Sequence, residues 1–166
     1  MSLKDDLDNK VKEIFREQWT ERDGQVVPEP NDLKLSNDAV KLDGVVLYAD
    51  MSESTKLVDT KRAFFAAEVY KSFLHCAAKI IRSEGGEITS FDGDRIMAVF
   101  IGDSKNTSAA RAALKINYAN IFIINPALAA QYPDSNYEMK HTVAIDSSEL
   151  FIARTGIRGS NDLVWV

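Results

Sequence analysis

Residues 85–101 constrain the fold of this chain more than any other stretch. Gly85-Gly86 closes a long segment of helical apolar spacing, and Asp92-Gly93 separates two runs of strand-forming residues at 87–91 and 95–101. Asp-Gly favours a two-residue hairpin turn because both residues tolerate the positive φ angles such a turn demands. The local reading is therefore helix, stop, strand, tight turn, strand.

Extending this frame in both directions gives an order of elements. Before it, Val45, Val46, Leu47, Tyr48 and Ala49 form a short apolar run that ends at Asp50, the pattern of a buried strand. Between 61 and 82, Phe64, Phe65, Val69, Phe73, Ala77, Ile80 and Ile81 recur at helical spacing and predict one long helix. A second helix is expected over 108–125, stopped by Pro126, with a further helical turn before Pro133. Strands follow at 139–145 and 150–153, joined at 146–148, and a last one at 163–166. Strand, helix, strand, strand, helix, strand is the split βαββαβ order of an α/β (α+β) ferredoxin-like sandwich. At the N-terminus, Leu3, Leu7, Val11, Ile14, Phe15 and Trp19 predict an amphipathic helix. It can pack on its own domain or on a second subunit. Residues 20–42, with Gly24, Pro28 and Pro30, read as a connector. The expected division is thus 1–42 (helix and linker) and 43–166 (the sandwich domain).

Within that frame Asp50 ends the first strand and Asp94 leaves the hairpin turn, and a ferredoxin-like order makes the first strand and the hairpin central neighbours. Two carboxylates there suit a hard cation such as Mg²⁺, which takes one or two of them together with substrate phosphates. The polar loop Met51-Ser52-Glu53-Ser54-Thr55 follows, able to turn backbone N–H groups toward phosphate at a helix start. The pair points to metal-assisted chemistry on a nucleoside triphosphate. Each Asp taken singly also reads as an ordinary turn residue, because Asp bonds its own backbone there; Asp92 is read that way.

Composition removes several function classes. The chain has 166 residues, 45% hydrophobic, with a net charge of −5, which gives no electrostatic case for gripping nucleic acid or an anionic membrane. Cys76 is the single cysteine, so neither a disulfide framework nor a Cys-rich zinc site is available; among apolar neighbours it reads as an inert thiol. No run approaches the ~18 apolar residues of a membrane span, and the N-terminus lacks the basic-then-apolar order of a secretory signal. A cytoplasmic location is expected.

Five segments in order resemble the class III nucleotidyl (adenylate/guanylate) cyclases: 45–55, Gly85-Gly86, 93–100 with Gly93-Asp94, and the later runs 109–114 and 141–146. The resemblance covers about 43–166 and implies the class III cyclase fold, two Mg²⁺ or Mn²⁺ ions per site, and a homodimer with interfacial active sites. Asp50 and Asp94 would hold both metals, and the Met51 carbonyl would complete one coordination shell. The loop carrying Ser52, Ser54 and Thr55 would cradle the β- and γ-phosphates. The implied reaction is attack of the substrate 3′-hydroxyl on its own α-phosphorus with loss of pyrophosphate.

Two positions depart from the family pattern. Ser90 stands where adenylate cyclases carry Lys and guanylate cyclases Glu, and the second base-reading position falls near the apolar Val164. Neither can read a purine in the usual way. The family's last strand is also followed by a helix bearing Asn and Arg, which would lie beyond Val166, so the C-terminal end reads as truncated. A narrower likeness bears on the base. Tyr48 and Arg95 resemble the positions that contact nucleotide in the bacterial pyrimidine (uridylate) cyclases of Pycsar antiphage systems, implying UTP or CTP as substrate. Tyr48 and Asp50 share a strand face, whereas Arg95, next to Asp94, is expected on the opposite face unless the turn twists. As plain structural residues, Tyr48 would be strand packing and Arg95 a solvated hairpin residue.

Other groups read as structural: His75 and His141, the loop arginines Arg154 and Arg158, and solvated Lys56 and Lys61. The alternatives to a pyrimidine cyclase are a conventional adenylate or guanylate cyclase and a silent cyclase-homology domain that binds nucleotide or dimerises. A diguanylate cyclase, suggested by Gly85-Gly86-Glu87, is set aside because that signature belongs at the hairpin turn itself.

Overall fold

The computed structural model describes residues 2–166. In order it contains α1 (Leu3–Arg16), β1 (Thr20–Asp23), a 3-10 turn (Pro30–Asp32), β2 (Asp38–Met51), α2 (Ser54–Thr60) and α3 (Ala63–Ser83). Then come β3 (Glu87–Asp92), β4 (Arg95–Phe100), α4 (Lys105–Ala119), a π-helical turn (Asn120–Ile124), α5 (Asn125–Gln131), β5 (His141–Ile157) and β6 (Ser160–Trp165). The chain divides into two compact units, residues 44–148 and the segments up to Asp43 and from Glu149 onward. The last strand pair thus groups with the N-terminal segment rather than with the rest of 43–166, and β2 and β5 each give one half to each unit.

In the 44–148 unit the strand order is β3-β4-β2-β5, the ferredoxin-like arrangement with β4 and β2 at the centre. Alternation along antiparallel β2 and β4 sorts the side chains. Val45 lies opposite Phe100, Leu47 opposite Ala98 and Ala49 opposite Ile96. These six and Met51 join one core with Phe65, Val69, Phe73, Ala77 and Ile81 of α3 and Ala109, Ala112 and Ile116 of α4. Each large side chain buried there contributes roughly 1.5–3 kcal/mol. Helix α3 ends as its glycines dictate. Gly85, at φ +82°, donates to the Arg82 carbonyl, and Gly86 donates to that of Ile81, the paired bonds of a Schellman stop. A Cβ on Gly86 would lie 2.6 Å from Phe100 Cζ, so close packing also demands glycine there.

Several expectations are corrected here. The helix read over 61–82 is α3, which begins at Ala63; a separate short helix, α2, precedes it, parted from it at Lys61 and Arg62, which are both extended. No Pro or Gly marks the break; Thr60 Oγ1 turns back onto the Lys56 carbonyl at 2.6 Å, a bond that competes with helix continuation. The second helix begins at Lys105 and is not stopped by Pro126. A π-helical turn intervenes, with Asn125 N–H donating to the Asn120 carbonyl, and its wider bore relieves the clash a proline ring makes with the preceding turn. The strand expected at 45–49 runs from 38 to 51, and those expected at 139–145 and 150–153 are one continuous β5.

The other unit shows that 20–42 is more than a connector. There β1 pairs in parallel with β2, Thr20 opposite Asp38, and the second half of β5 pairs with β6. Its apolar interior is small: Leu33, Ala39, Val40, Leu42, Leu150, Ile152 and Ala153. Polar clasps do much of the joining. Arg22 pairs with the buried Asp38 at 2.6 Å, and the Asn37 amide donates to the carbonyls of Ile14 and Glu17. Arg154, expected in an exposed loop, instead lies in β5 and binds Asn161, Asn31 and the Leu33 carbonyl. Helix α1, capped by Ser2, buries none of its residues. No helix among the described residues is long and apolar enough to cross a membrane.

Candidate active site

The faces of β2, β4 and β3 that point away from α3 and α4 carry two cross-strand rows. Tyr48 lies opposite Met97, which lies opposite Ser90; Asp50 lies opposite Arg95, which lies opposite Asp92. Directly opposed residues share a face, so Tyr48, Asp50, Arg95 and Ser90 are brought together. Ser90 joins its row through a bulge. Ile88 pairs with Ala98 and Ser90 with Met97, leaving Thr89 as the extra residue, its hydroxyl donating to the Met97 carbonyl at 3.3 Å. Met97, the middle member of the first row, is itself buried.

This register corrects the expectation that Arg95 points away from Asp50. The hairpin turn is Gly93-Asp94, not Asp92-Gly93, because Asp92 already pairs with Arg95. Gly93 takes φ +61° and Asp94 has no positive φ, the pattern of a turn with glycine in its first central position. Arg95 therefore starts β4 directly across from Asp50. Its Nε donates to Asp50 Oδ1 at 3.5 Å, and its Cζ lies 5.9 Å from the centre of the Tyr48 ring. Both partners of the ion pair are roughly half exposed, Arg95 at 48% and Asp50 at 41%.

Asp94 is a half-buried turn residue one step before Arg95. Paired Cα atoms lie about 4.5–5.5 Å apart and consecutive ones about 3.8 Å, so the Cα atoms of Asp50 and Asp94 are within about 9 Å. Two carboxylates on residues with Cα atoms that close, with the Met51 carbonyl next in sequence to Asp50, offer all-oxygen donors of the kind a hard divalent cation takes. Among the described residues no cluster of three or more His, Cys, Asp or Glu could hold a metal. The remaining ligands would be water and substrate phosphate, as Mg²⁺ prefers.

The loop after β2 is built around a strained residue. Glu53, at φ 57° and ψ 31°, is the single non-glycine with positive φ among the described residues, a conformation that costs on the order of 1–3 kcal/mol. It leads into α2 without a side-chain cap, leaving the first-turn N–H groups at Ser54 and Thr55 without intrahelical partners. The Ser52 N–H is committed elsewhere, donating to the Lys140 carbonyl at 2.9 Å. Of the loop residues read as a phosphate cradle, Ser52 thus presents its hydroxyl rather than its N–H. Nothing in the sequence announced Lys140, because its contribution is a backbone atom 88 positions away. Met51 anchors the loop from below with its side chain in the core.

Supporting groups behave as structural elements. His141 Nδ1 lies 3.0 Å from the Asn120 amide nitrogen, and Asn120 and Asn125 both donate to the Met139 carbonyl. Burial lowers the His141 pKa, so the ring is neutral and accepts at Nδ1. Burial raises the Cys76 thiol, which keeps it unreactive. Val164 is a partly exposed residue of β6 opposite Ala153.

No protein-family model matches the chain. Against curated proteins, it is 54% identical over 168 residues to a uridylate cyclase of Burkholderia cepacia, covering all of this chain and 73% of that protein. A uridylate cyclase of Xanthomonas perforans is 50% identical over 167 residues, covering 100% of this chain and 72% of that protein. The chain belongs to the uridylate cyclase family.

Members of the uridylate cyclase family are nucleotidyl cyclases, and this chain is accordingly an enzyme of that type, closing a nucleoside triphosphate to a cyclic nucleotide. Solved structures agree on the fold. A guanylyl cyclase superposes with TM-score 0.67 at 16% identity, over 76% of this chain and 64% of that one. A class III adenylyl cyclase-like ATP-binding protein from Pseudomonas aeruginosa superposes with TM-score 0.63 at 17% identity, over 96% of this chain and 35% of that one. The chain thus has the class III cyclase fold.

Proposed function

We propose that this enzyme is a metal-dependent pyrimidine cyclase that converts UTP to its 3′,5′-cyclic monophosphate and pyrophosphate. The observation that carries the reading is the grouping of Tyr48 and Arg95 with Asp50 on one sheet face, where a donor fork and an aromatic ring stand beside a metal-binding carboxylate. Ser90 on the same face is too short to read a purine edge across the site, so selection falls to Tyr48 and Arg95, with a guanidinium able to donate to uracil carbonyls. The two relatives are named for uridylate formation, which favours UTP over CTP.

In this reading Asp50, Asp94 and the Met51 carbonyl hold two Mg²⁺ or Mn²⁺ ions, which when bound acidify the substrate 3′-hydroxyl and offset charge on the leaving group. The uncapped first-turn N–H groups of Ser54 and Thr55 and the Ser52 hydroxyl orient the β- and γ-phosphates, helped by the positive end of α2. The O3′–Pα bond forms as the bond from Pα to pyrophosphate oxygen breaks, and the hydroxyl proton passes to solvent. Positioning is the main protein contribution. Two copies of the chain form the working unit, with sites between subunits, and the cyclic nucleotide serves as a second messenger in antiphage defence in the cytoplasm. Assaying UTP, CTP, ATP and GTP with Mn²⁺, with product identified by mass spectrometry, tests the assignment. The expected product is cyclic UMP; a clear preference for ATP or GTP would overturn it.

A further inference from the structure

We infer that Arg95 is a built-in counter-ion that a divalent cation displaces from Asp50, so that loading the metal frees the guanidinium for the nucleotide. The inference rests on the proposed assignment of Asp50 as a metal ligand and adds a second role to Arg95. The same carboxylate is contested: Arg95 Nε donates to Asp50 Oδ1, and a cation ligated by that carboxylate would lie about 2.1 Å from an oxygen of the same group. A dication on that carboxylate repels the guanidinium beside it.

The geometry favours exchange over retention. At 3.5 Å the contact is long for a charge-assisted bond, and both partners are half exposed, so the pair is weak and a dication outcompetes it. The guanidinium also has somewhere to stay. Its Cζ lies 5.9 Å from the Tyr48 ring centre, within the range in which an aromatic face holds a cation. After exchange Arg95 therefore remains on the site face, its donors directed at incoming substrate instead of Asp50. Linkage makes the effect reciprocal: a nucleotide that occupies the Arg95 donors tightens metal binding by the factor with which metal improves nucleotide binding.

The test is Mn²⁺ affinity of the nucleotide-free full chain, read by electron paramagnetic resonance, with folding checked by circular dichroism. Arg95→Gln removes the competitor and is expected to bind Mn²⁺ about five- to tenfold more tightly than wild type. Arg95→Lys keeps a charge that still reaches Asp50 and should stay near wild type. Lys56→Gln removes an exposed charge from helix α2 and should shift affinity far less than Arg95→Gln. Unchanged or weaker binding in Arg95→Gln, or an equal gain in Lys56→Gln, overturns the exchange. Asp50→Asn separates the two levels of argument. Lost Mn²⁺ binding there with no change in Arg95→Gln defeats only the exchange, whereas wild-type binding in Asp50→Asn defeats the metal assignment beneath it.

Discussion

The two faces of β2 and β4 are built from alternate residues of the same strands, yet they answer to different physics. Leu47, Ala49, Ile96 and Ala98 face the helices and are completely buried, whereas Tyr48, Asp50 and Arg95 face the other way and stay half exposed. The first set is held by area removed from water, which tolerates little change of volume. The second is held by one weak ion pair and a ring contact, which leaves it free to rearrange around a ligand. The contrast teaches that neighbouring residues in one strand can be substituted to lose either folding or chemistry, with little crossover.

Four substitutions or conditions would break or sharpen that contrast. Asp50→Asn is expected to cost activity on the order of a hundredfold or more, because metal ligation supplies several kcal/mol of transition-state stabilisation. The melting temperature should move little; a large drop would show that the site face carries stability after all. On the buried face, Phe73→Ala is expected to lower unfolding free energy by roughly 3–5 kcal/mol, measured by denaturant titration, while the protein that remains folded keeps its turnover number. A marginal loss there would mean that the core is less closely packed than its burial indicates.

Smaller effects follow. The folded-state pKa of His141 is lowered by burial, so as pH falls below about 6.5 the unfolded chain takes up its proton first. Stability should fall with pH from there toward the lower folded-state value and be insensitive to His141 above it. Thermal melts from pH 8 to pH 5 should show this, and His141→Gln should flatten the slope; an unaltered slope would reassign the acid sensitivity to other groups. The smallest effect belongs to α1, where Leu7 is 56% exposed. Leu7→Ala should change the stability of the isolated chain by less than about 0.5 kcal/mol. A loss of several times that would place the apolar stripe of α1 in a buried contact.

Much of the core was legible because its signals are local. The Gly85-Gly86 stop, the hairpin after it and the alternation through Leu47 and Ala49 depend on neighbours a few residues away. Where local reading failed, a longer-range or competing force had intervened. The short helix α2 over 54–60 was not read as a helix of its own, and no Pro or Gly marks where it ends. The π-helical turn let a helix run on past Pro126. Residues 20–42 looked like a linker because β1 gains its identity from pairing with β2, not from its own composition of Thr, Glu, Arg and Asp. Arg154 looked solvated for a similar reason, two of its three partners being more than 120 positions away.

The candidate site divides along the same line. Sequence alone determined which residues are available: carboxylates at 50 and 94, a polar loop after the first, and an aromatic and a guanidinium nearby. Their order along the chain was enough to mark a cyclase-like pattern. Only the tertiary structure decided that Arg95 sits across from Asp50, that Ser90 rather than Thr89 shares their face, and that the Ser52 N–H is taken by Lys140. The physical reason is register. A strand's side chains alternate with a period of two, so a turn placed one residue later or a single bulge moves a residue to the other face. That choice is made by the pairing of distant segments.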